Sequence, residues 1–100
     1  MTLRQKQSWF AGKIAELVLW IIDQGYEVTL GDAFATTGHK VNSCHYIRLA
    51  QDLNLFKDGR YLTETEDHRF AGEKWESMGG SWGGRFQDGN HYSLEHEGRK

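Results

Sequence analysis

Proline is absent from the sequence, and cysteine occurs once, as Cys44. A single cysteine excludes an internal disulfide, which fits a chain that folds in a reducing compartment. A chain of 100 residues is long enough for one hydrophobic core. Without a disulfide, a domain of this size often gains stability from a bound metal. The sequence therefore predicts a single domain over residues 1–100.

Long apolar runs and one-sided charge are missing as well. The most apolar run, residues 17–22, is far too short to span a bilayer. The N-terminal segment lacks the pattern of a signal peptide, because Lys13 and Glu16 interrupt the apolar residues that follow Arg4 and Lys6. The net charge is −2, with acidic and basic residues interspersed, so nothing indicates nucleic-acid binding. We expect a monomer that binds neither membrane nor nucleic acid.

Apolar periodicity predicts two helices. The first spans residues 2–24 and ends at Gly25, and Thr2 and Gln5 form a capping-box pattern at its start. Its apolar stripe consists of Phe10, Ile14, Leu17, Val18 and Ile21. Further bulky residues predict that the helix is covered on more than one side; these are Trp9, Trp20 and Ile22. A second helix is predicted over residues 66–78, with Thr63 or Thr65 as its cap.

Short strand-like segments fill the rest of the chain. Residues 26–30 alternate and are rich in strand formers, residues 33–40 have no period and form a loop, and residues 91–95 end the pattern as a strand. The Asp58-Gly59 pair between two strand-like runs is the strongest local signal for a hairpin. These elements predict an α+β fold in which a small antiparallel sheet accompanies two main helices.

Imidazoles and carboxylates are concentrated in two stretches of the chain. His45 and Asp52 lie in the first, and Asp88 and His91 in the second. Two histidines and one carboxylate, with the fourth position left to water, make a hydrolytic zinc site. His45 and Asp52 have opposite parity, so His45 is predicted to lie in a turn that leads into the strand of Asp52. Our hypothesis is that His45, Asp52 and His91 bind Zn²⁺ and that Asp88 is the general base.

Other interpretations of these residue types stay open. Cys44 beside His45 could act as a nucleophile, although neighbours on extended backbone rarely bring sulfur and imidazole within reach. Asp88 is also typical of an Asp-Gly turn, and Trp82 in a glycine-rich segment belongs either to the core or to the wall of a cleft. A structural zinc site closed by protein would need a fourth ligand from His39, His68 or His96.

Residues 43–52 resemble the signature of a known family. They read Ser-x-His-x-x-Arg-x-Ala-x-Asp. This is similar to the Ser-x-His-x-x-Gly-x-Ala-x-Asp signature of the zinc D-alanyl-D-alanine carboxypeptidase and L-alanyl-D-glutamate endopeptidase family. Bacteriophage endolysins and the vancomycin-resistance dipeptidases belong to it. Residues 88–91, Asp-x-x-His, resemble the acidic-x-x-His element of the same family, and the resemblance extends over residues 25–95.

The resemblance implies a fold, a cofactor and a substrate. The fold would be a zinc fold like that of hedgehog and D,D-peptidases, and the ligand set would be the one proposed above. The substrate would be a stem peptide of bacterial peptidoglycan, cut at an L-Ala-D-Glu or a D,D-carboxypeptidase bond during phage lysis. Ser43, Arg48 and Trp82 would contact that substrate. The protein would wait in the host cytoplasm and reach the wall through a holin pore.

The sequence departs from the family pattern at two positions. Arg48 replaces the signature glycine, and Ala35 stands where the family has an arginine that stabilises the developing oxyanion. One such donor contributes about 2.7–4 kcal/mol to lowering the barrier, so Lys40, Arg48 or His39 would have to replace it. The alternative function is a catalytically silent, zinc-stabilised module that docks on cell wall or on a phage structural protein. A phage structural protein without metal is a further alternative.

Overall fold

Two helices and five short strands form the fold in the computed structural model, which describes residues 1–100. The helices are α1, Leu3–Asp23, and α2, Arg69–Ser77. The strands are β1, Glu27–Leu30; β2, Ala50–Lys57; β3, Arg60–Leu62; β4, Ser81–Trp82; and β5, His91–Ser93. Three single 3₁₀ turns join them, at Cys44–Ile47, Thr65–His68 and Gly83–Phe86. The predicted α+β fold is confirmed, and neither helix is long and apolar enough to cross a membrane.

Helix α1 begins and ends where the sequence indicates. The Thr2 hydroxyl accepts a hydrogen bond from the Gln5 amide at 3.1 Å, and the Gln5 side chain accepts one from the Thr2 amide at 2.8 Å. Gly25 follows the helix with a φ of +96°, a conformation that glycine adopts freely. The stripe packs as predicted, but the prediction of a second covered side is wrong for Ile22, which is 50% exposed. The reason is that α1 has packing partners along only one face, where Phe10, Leu17 and Ile21 are buried.

Strand β2 is the centre of an antiparallel sheet in which the order is β1-β2-β5-β4, with β3 also paired to β2. Its second half pairs with β1, from Leu30 opposite Leu53 to Glu27 opposite Phe56. Its first three residues pair with β5, which places Asp52 directly opposite His91. Because side chains alternate along a strand, the side chain of Leu53 enters the core and that of Asp52 points to the opposite face.

The hairpin between β2 and β3 forms at the predicted position. Lys57 pairs with Arg60, and the two residues between them, Asp58 and Gly59, have φ angles of 52° and 79°. Two successive positive φ angles are typical of the type I′ turn, which matches the twist of the strands that it joins. The Asp-Gly pair therefore fixes the register of β3 on β2.

The second helical segment lies where it was predicted, but its cap is different. The Thr65–His68 turn precedes α2, and the Glu64 amide at its start donates to the Asp67 carboxylate at 3.0 Å. Capping by Thr63 or Thr65 is therefore wrong. The Thr65 hydroxyl instead accepts a hydrogen bond at 3.2 Å from the amide of Gly89, which is distant in sequence.

The glycine-rich segment packs into the core. The sequence did not predict strand β4 in this segment. With only two residues, β4 shows no alternating pattern, and it is defined by its pairing with β5. A Cβ on Gly72 would lie 2.1 Å from the Trp82 ring, so the absence of a side chain lets α2 approach that ring. Trp82 is only 1% exposed, and its indole N–H donates to the Gly89 carbonyl at 2.8 Å. This burial does not fit the prediction that Trp82 contacts substrate, because the packing of glycines around the ring encloses it.

Candidate metal centre

His45, Asp52 and His91 come together on one face of the sheet. Each offers one ligand atom, and these atoms all lie within 4.8 Å of one another. Asp52 is on β2 and His91 on β5, so the register of the two strands brings this pair together. His45 reaches them from the 3₁₀ turn before β2, which is the turn that its parity predicted.

The distances within this triad suit a small tetrahedral cation. Asp52 Oδ1 lies 3.0 Å from His45 Nε2 and 3.6 Å from His91 Nδ1. Atoms that bind zinc at its usual distances are about 3.3 Å apart. The two imidazole rings are nearly perpendicular, at 69°, with centroids 5.1 Å apart. The two histidines are buried, while the Asp52 side chain is 17% exposed, so the triad has one accessible side.

Hydrogen bonds around His45 fix which ring nitrogen faces Asp52. The buried Ser43 hydroxyl accepts from the His45 backbone amide at 3.2 Å and so caps the turn. Nδ1 of the His45 ring lies 3.1 Å from the Ala33 carbonyl, to which it donates. A carbonyl that holds one nitrogen in this way leaves the lone pair of the other, Nε2, for a metal. Arg48 then ends the turn in the left-handed conformation, with a φ of 58°.

The charges in the triad also favour a cation. Burial by itself would raise the pKa of Asp52, but the two imidazoles outweigh it and lower the pKa of this carboxyl to about 2. Burial would lower the pKa of His45, and the hydrogen bond and charge of Asp52 reverse this and raise it. A carboxylate that is always ionised and largely buried needs a positive charge beside it, which a proton or a metal ion supplies.

His91 does not have the bonds of a structural core histidine. Its Nδ1 faces Asp52, and its Nε2 is buried without any hydrogen-bond partner. Nδ1 is therefore the ring nitrogen that His91 offers to a metal beside Asp52, and the unpaired Nε2 lies on the other side of the ring. Two imidazoles and one ionised carboxylate are a donor set that Zn²⁺ prefers. The residues present therefore fit a zinc ion.

Asp88 lies at the rim of the triad. Its Oδ2 is 4.0 Å from His91 Nδ1, and its side chain is 51% exposed. The Asp88 amide donates to the Gly83 carbonyl at 2.9 Å, which holds the turn before β5. A Cβ on Gly83 would lie 2.2 Å from the Asp88 carbonyl oxygen and 2.7 Å from His91 Cβ. The sequence did not reveal this role of Gly83, and the cluster of glycines was its only signal.

Two of the three cations considered as replacements for the missing arginine lie beside the triad. The His39 ring stacks on the His45 ring, with centroids 4.0 Å apart and planes at 22°. Lys40 Nζ lies 3.7 Å from the centre of the Phe86 ring, which is itself 5.7 Å from the His91 ring. The Tyr46 hydroxyl fixes this loop, because it donates to the His39 carbonyl at 2.7 Å and accepts from the His39 amide at 2.9 Å.

Arg48 points to a different part of the molecule. Its guanidinium lies 3.8 Å from the centre of the Phe34 ring. Both side chains line a mainly apolar cavity of about 390 Å³ beside α1, and none of the three triad residues lines it. The structure therefore leaves open the prediction that Arg48 binds substrate, and it places this residue outside the triad.

The other candidate ligands and nucleophiles are engaged elsewhere. His68 Nδ1 bonds to the Tyr92 hydroxyl, and His96 Nδ1 to Lys6 Nζ at 3.0 Å. Cys44 is fully buried, and burial raises the pKa of its thiol, which disfavours a thiolate nucleophile. The triad thus offers three protein ligands, which would leave one position of a tetrahedral ion to water.

Comparison with known proteins identifies the family. No curated protein matches the chain at a significant level. A family model described as D-alanyl-D-alanine carboxypeptidase, of the M15 peptidases, matches residues 36–94. The match covers more than half of the chain and includes the whole triad, Asp88 and the 3₁₀ turn of His45. The chain therefore belongs to the D-alanyl-D-alanine carboxypeptidase family of M15 peptidases.

Proposed function

We propose that this protein is a zinc-dependent peptidase that hydrolyses an amide bond in peptidoglycan stem peptides. The observation that supports it most is the convergence of His45, Asp52 and His91, which each offer one ligand atom, all within 4.8 Å of one another. Membership in a peptidase family supports the reaction class and a peptidoglycan-like substrate. The L-Ala-D-Glu and D,D-carboxypeptidase bonds are the two candidates.

The three ligands and Asp88 divide the work of hydrolysis. When bound, Zn²⁺ polarises the scissile carbonyl and lowers the pKa of a water to about 7. Asp88, at the exposed rim, accepts the proton of the attacking water and passes it to the leaving amine. The Ala33 carbonyl keeps the His45 ring in the orientation that presents Nε2.

The cations of the neighbouring loop replace the missing arginine in this proposal. A tetrahedral intermediate develops negative charge on the former carbonyl oxygen, which a preorganised positive group stabilises. His39 and Lys40 are the candidates in that loop, with His39 stacked on the His45 ring and Lys40 placed over the Phe86 ring. Lys40 is the stronger candidate, because His39 Nε2 is already paired with the Asp32 carboxylate at 3.2 Å.

Digestion of purified peptidoglycan tests the enzyme proposal. The zinc-loaded protein should release new amino and carboxyl ends, and mass spectrometry of the products names the bond. Asp88→Asn should reduce the rate of this release by about 10²–10⁴-fold while zinc stays bound. Asp58→Asn is a matched control, because Asp58 lies in the β2–β3 turn, and it should digest like the wild type. Equal digestion by the Asp88 variant and the wild type would remove Asp88 from the mechanism.

A silent zinc-stabilised binding module is the second candidate. The residue that favours it is Ala35, which carries no positive charge where the family has its oxyanion donor. This candidate predicts one bound zinc per chain and sedimentation with purified cell walls, without new peptide ends. A chain that binds no zinc would exclude both candidates and leave a structural protein.

The biological setting in the proposal is lysis of a bacterial host by phage. It rests on the resemblance of residues 43–52 and 88–91 to endolysin motifs. Co-expression with a holin in a bacterial host should cause lysis, because the holin pore gives a cytoplasmic enzyme access to the wall. Expression without the holin, or with Asp88→Asn, should not. Lysis by the Asp88 variant would show that the effect does not depend on hydrolysis.

A further inference from the structure

The mainly apolar cavity of about 390 Å³ lies between α1, residues 33–34 and the start of β2. Three of its nine lining residues are polar, and they are Gln7, Arg48 and Gln51. Arg48 is the only charged residue among the nine. The six hydrophobic ones are Phe10, Ala11, Ile14, Ala33, Phe34 and Ala50. Apolar walls with a few polar groups are the usual form of a small-molecule site.

This cavity and the triad lie on opposite faces of the sheet. Gln51 and Asp52 are neighbours on β2, and neighbouring side chains of a strand point to opposite faces. Gln51 lines the cavity, whereas the Asp52 carboxylate faces the His91 ring at 3.6 Å. A ligand in the cavity would therefore not occupy the proposed site of hydrolysis.

Arg48 is held at the cavity without an anionic partner. Its guanidinium lies 3.8 Å from the centre of the Phe34 ring, which is 47% exposed. Lysine and arginine side chains form three ion pairs with carboxylates, all elsewhere in the molecule, so no carboxylate neutralises Arg48. Its φ of 58° is one that glycine adopts freely and arginine only at a cost. Strain of this kind is concentrated at functional positions, and here it falls where the family signature has a glycine.

Gln51 supplies an unpaired acceptor to the cavity. The residue is 8% exposed, and its amide nitrogen donates to the Gly31 and Asp52 carbonyls at 3.0 and 2.9 Å. These carbonyls fix the orientation of the amide, because only its NH₂ group can face both. Its oxygen accepts no hydrogen bond from the protein, yet the only enclosed side-chain polar atom without a partner is His91 Nε2. The Gln51 oxygen is therefore accessible, and the space that this residue lines is the cavity.

Gln7, on α1, repeats this arrangement. Its amide nitrogen donates to the Ile47 carbonyl at 2.8 Å, which leaves its oxygen as an acceptor. A guanidinium binds a carboxylate through two parallel hydrogen bonds, and amide oxygens accept from N–H or O–H groups. Phe10 and Phe34 suit the face of an aromatic ring. No acidic side chain lines the cavity, so a carboxylate meets no like charge there.

We propose that this cavity is a second ligand site, which binds a small aromatic carboxylic acid that carries a ring N–H or O–H. The carboxylate pairs with Arg48, the ring N–H or O–H donates to the Gln51 amide oxygen, and the ring packs against the apolar walls. The site does not depend on the proposed hydrolysis, because none of these groups belongs to the triad. Ala33 lines the cavity and its carbonyl accepts from His45 Nδ1, so an occupied cavity would also support the orientation of that ring.

Three related compounds test the chemistry of the ligand. Indole-3-acetate carries the carboxylate and the ring N–H, indole-3-acetamide lacks the charge, and 1-naphthylacetate lacks the N–H. Calorimetric titration of the full chain should show that indole-3-acetate binds about tenfold more tightly than the acetamide, since a charged hydrogen bond is lost. It should bind about threefold more tightly than 1-naphthylacetate, which loses a neutral one. Absence of binding, or equal affinity for the three compounds, would overturn the proposal.

Substitution of Arg48 by the residue of the family signature separates the ligand site from the fold. Arg48→Gly should lower the affinity for indole-3-acetate to that for the acetamide, and it should stay folded because glycine suits a φ of 58°. Ala11→Phe, which fills the cavity from α1, should weaken binding of all three compounds. The control Arg60→Gln, at an exposed arginine of β3 that does not line the cavity, should change none of them. Unchanged affinity in Arg48→Gly would overturn the assignment.

NMR locates the bound compound on the protein. The side-chain amide resonances of Gln7 and Gln51 should shift when indole-3-acetate is added, while the ring resonances of His91, on the other face of the sheet, should not. Shifts confined to the triad would overturn the assignment and show that the carboxylate binds at the metal centre. A dimer in light scattering that Phe34→Ser separates would show that a second copy covers the cavity, and it would overturn the small-molecule assignment as well.

Discussion

The triad and its rim are built from different kinds of backbone. Asp52 and His91 sit on paired strands, and His45 sits in a capped turn, with both histidine rings almost fully buried. Asp88 is half exposed in a turn, and Lys40 follows a loop without regular structure. The groups proposed to hold the metal are thus fixed before it arrives, while the groups proposed to move protons or stabilise charge can adjust to a substrate.

The largest expected effect comes from removing a ligand of the buried triad. Asp52→Asn removes the ionised ligand that both imidazoles face, so zinc affinity should fall by more than about 100-fold, the upper end of the cost of losing a mere supporting group. Hydrolysis should be lost with it. Zinc per chain is measured by atomic emission after dialysis. The control Asp58→Asn should retain zinc, and retention by both variants would contradict the assigned ligand.

Changing the rim should separate catalysis from metal binding. Asp88→Asn should lower kcat by about 10²–10⁴-fold, the usual contribution of a general base. Its zinc content should equal that of the wild type, because the converging ligand atoms belong to His45, Asp52 and His91 and not to Asp88. Steady-state cleavage of a stem peptide and metal analysis on the same sample check both parts. Loss of zinc in this variant would make Asp88 a fourth ligand instead.

Substitution of Lys40 in the neighbouring loop should also separate catalysis from metal binding. Lys40→Met should lower kcat by about 10²–10³-fold with little change in KM, as expected for a donor used mainly in the transition state. Lys40→Arg should restore part of the rate. Lys57→Met is the matched control, since Lys57 also lies over an aromatic ring, that of Tyr26, at 4.5 Å. If kcat is unchanged, the same measurement on His39→Gln decides whether the stacked imidazole serves instead.

A buried histidine outside the triad gives a smaller effect on stability. Burial lowers the pKa of His68 from 6.5 to about 4 in the folded protein. The unfolded chain therefore binds more protons between these pH values, and the free energy of unfolding falls as pH drops through this window. The loss should reach about 3 kcal/mol near pH 4. Urea unfolding of zinc-free protein against pH measures it, and the slope attributable to His68 should vanish in His68→Gln.

The elements and the candidate ligands were accessible from sequence for physical reasons. The stripe of α1, the Asp-Gly turn and the parity of His45 and Asp52 are local patterns, and they fix local structure. The stacking of His39 on His45 and the bond between His68 and Tyr92 join residues in different elements. No period or spacing encodes such contacts. The same holds for the Thr65 hydroxyl, which bonds to Gly89 instead of capping its own helix.

The departures from the family pattern at Arg48 and Ala35 were visible in the sequence, but their structural consequences were not. Arg48 adopts the left-handed conformation that a glycine would take, so the arginine is accommodated at some cost in backbone strain. Ala35 donates its amide to the His45 carbonyl at 3.3 Å and so still helps to hold the turn. Which cation faces the substrate depends on how residues 31–42 pack, and that is decided by tertiary contacts.

Because Asp52 lies opposite His91, the proposed metal site depends on the register of β2 and β5. A slip of one position between β2 and β5 would turn the Asp52 side chain to the other side of the sheet and dismantle the site. Under the proposed function, only the chain with the correct β2–β5 register would bind zinc, and zinc binding would stabilise that register over every shifted one. Zinc uptake during refolding should thus report when these two distant segments have found each other.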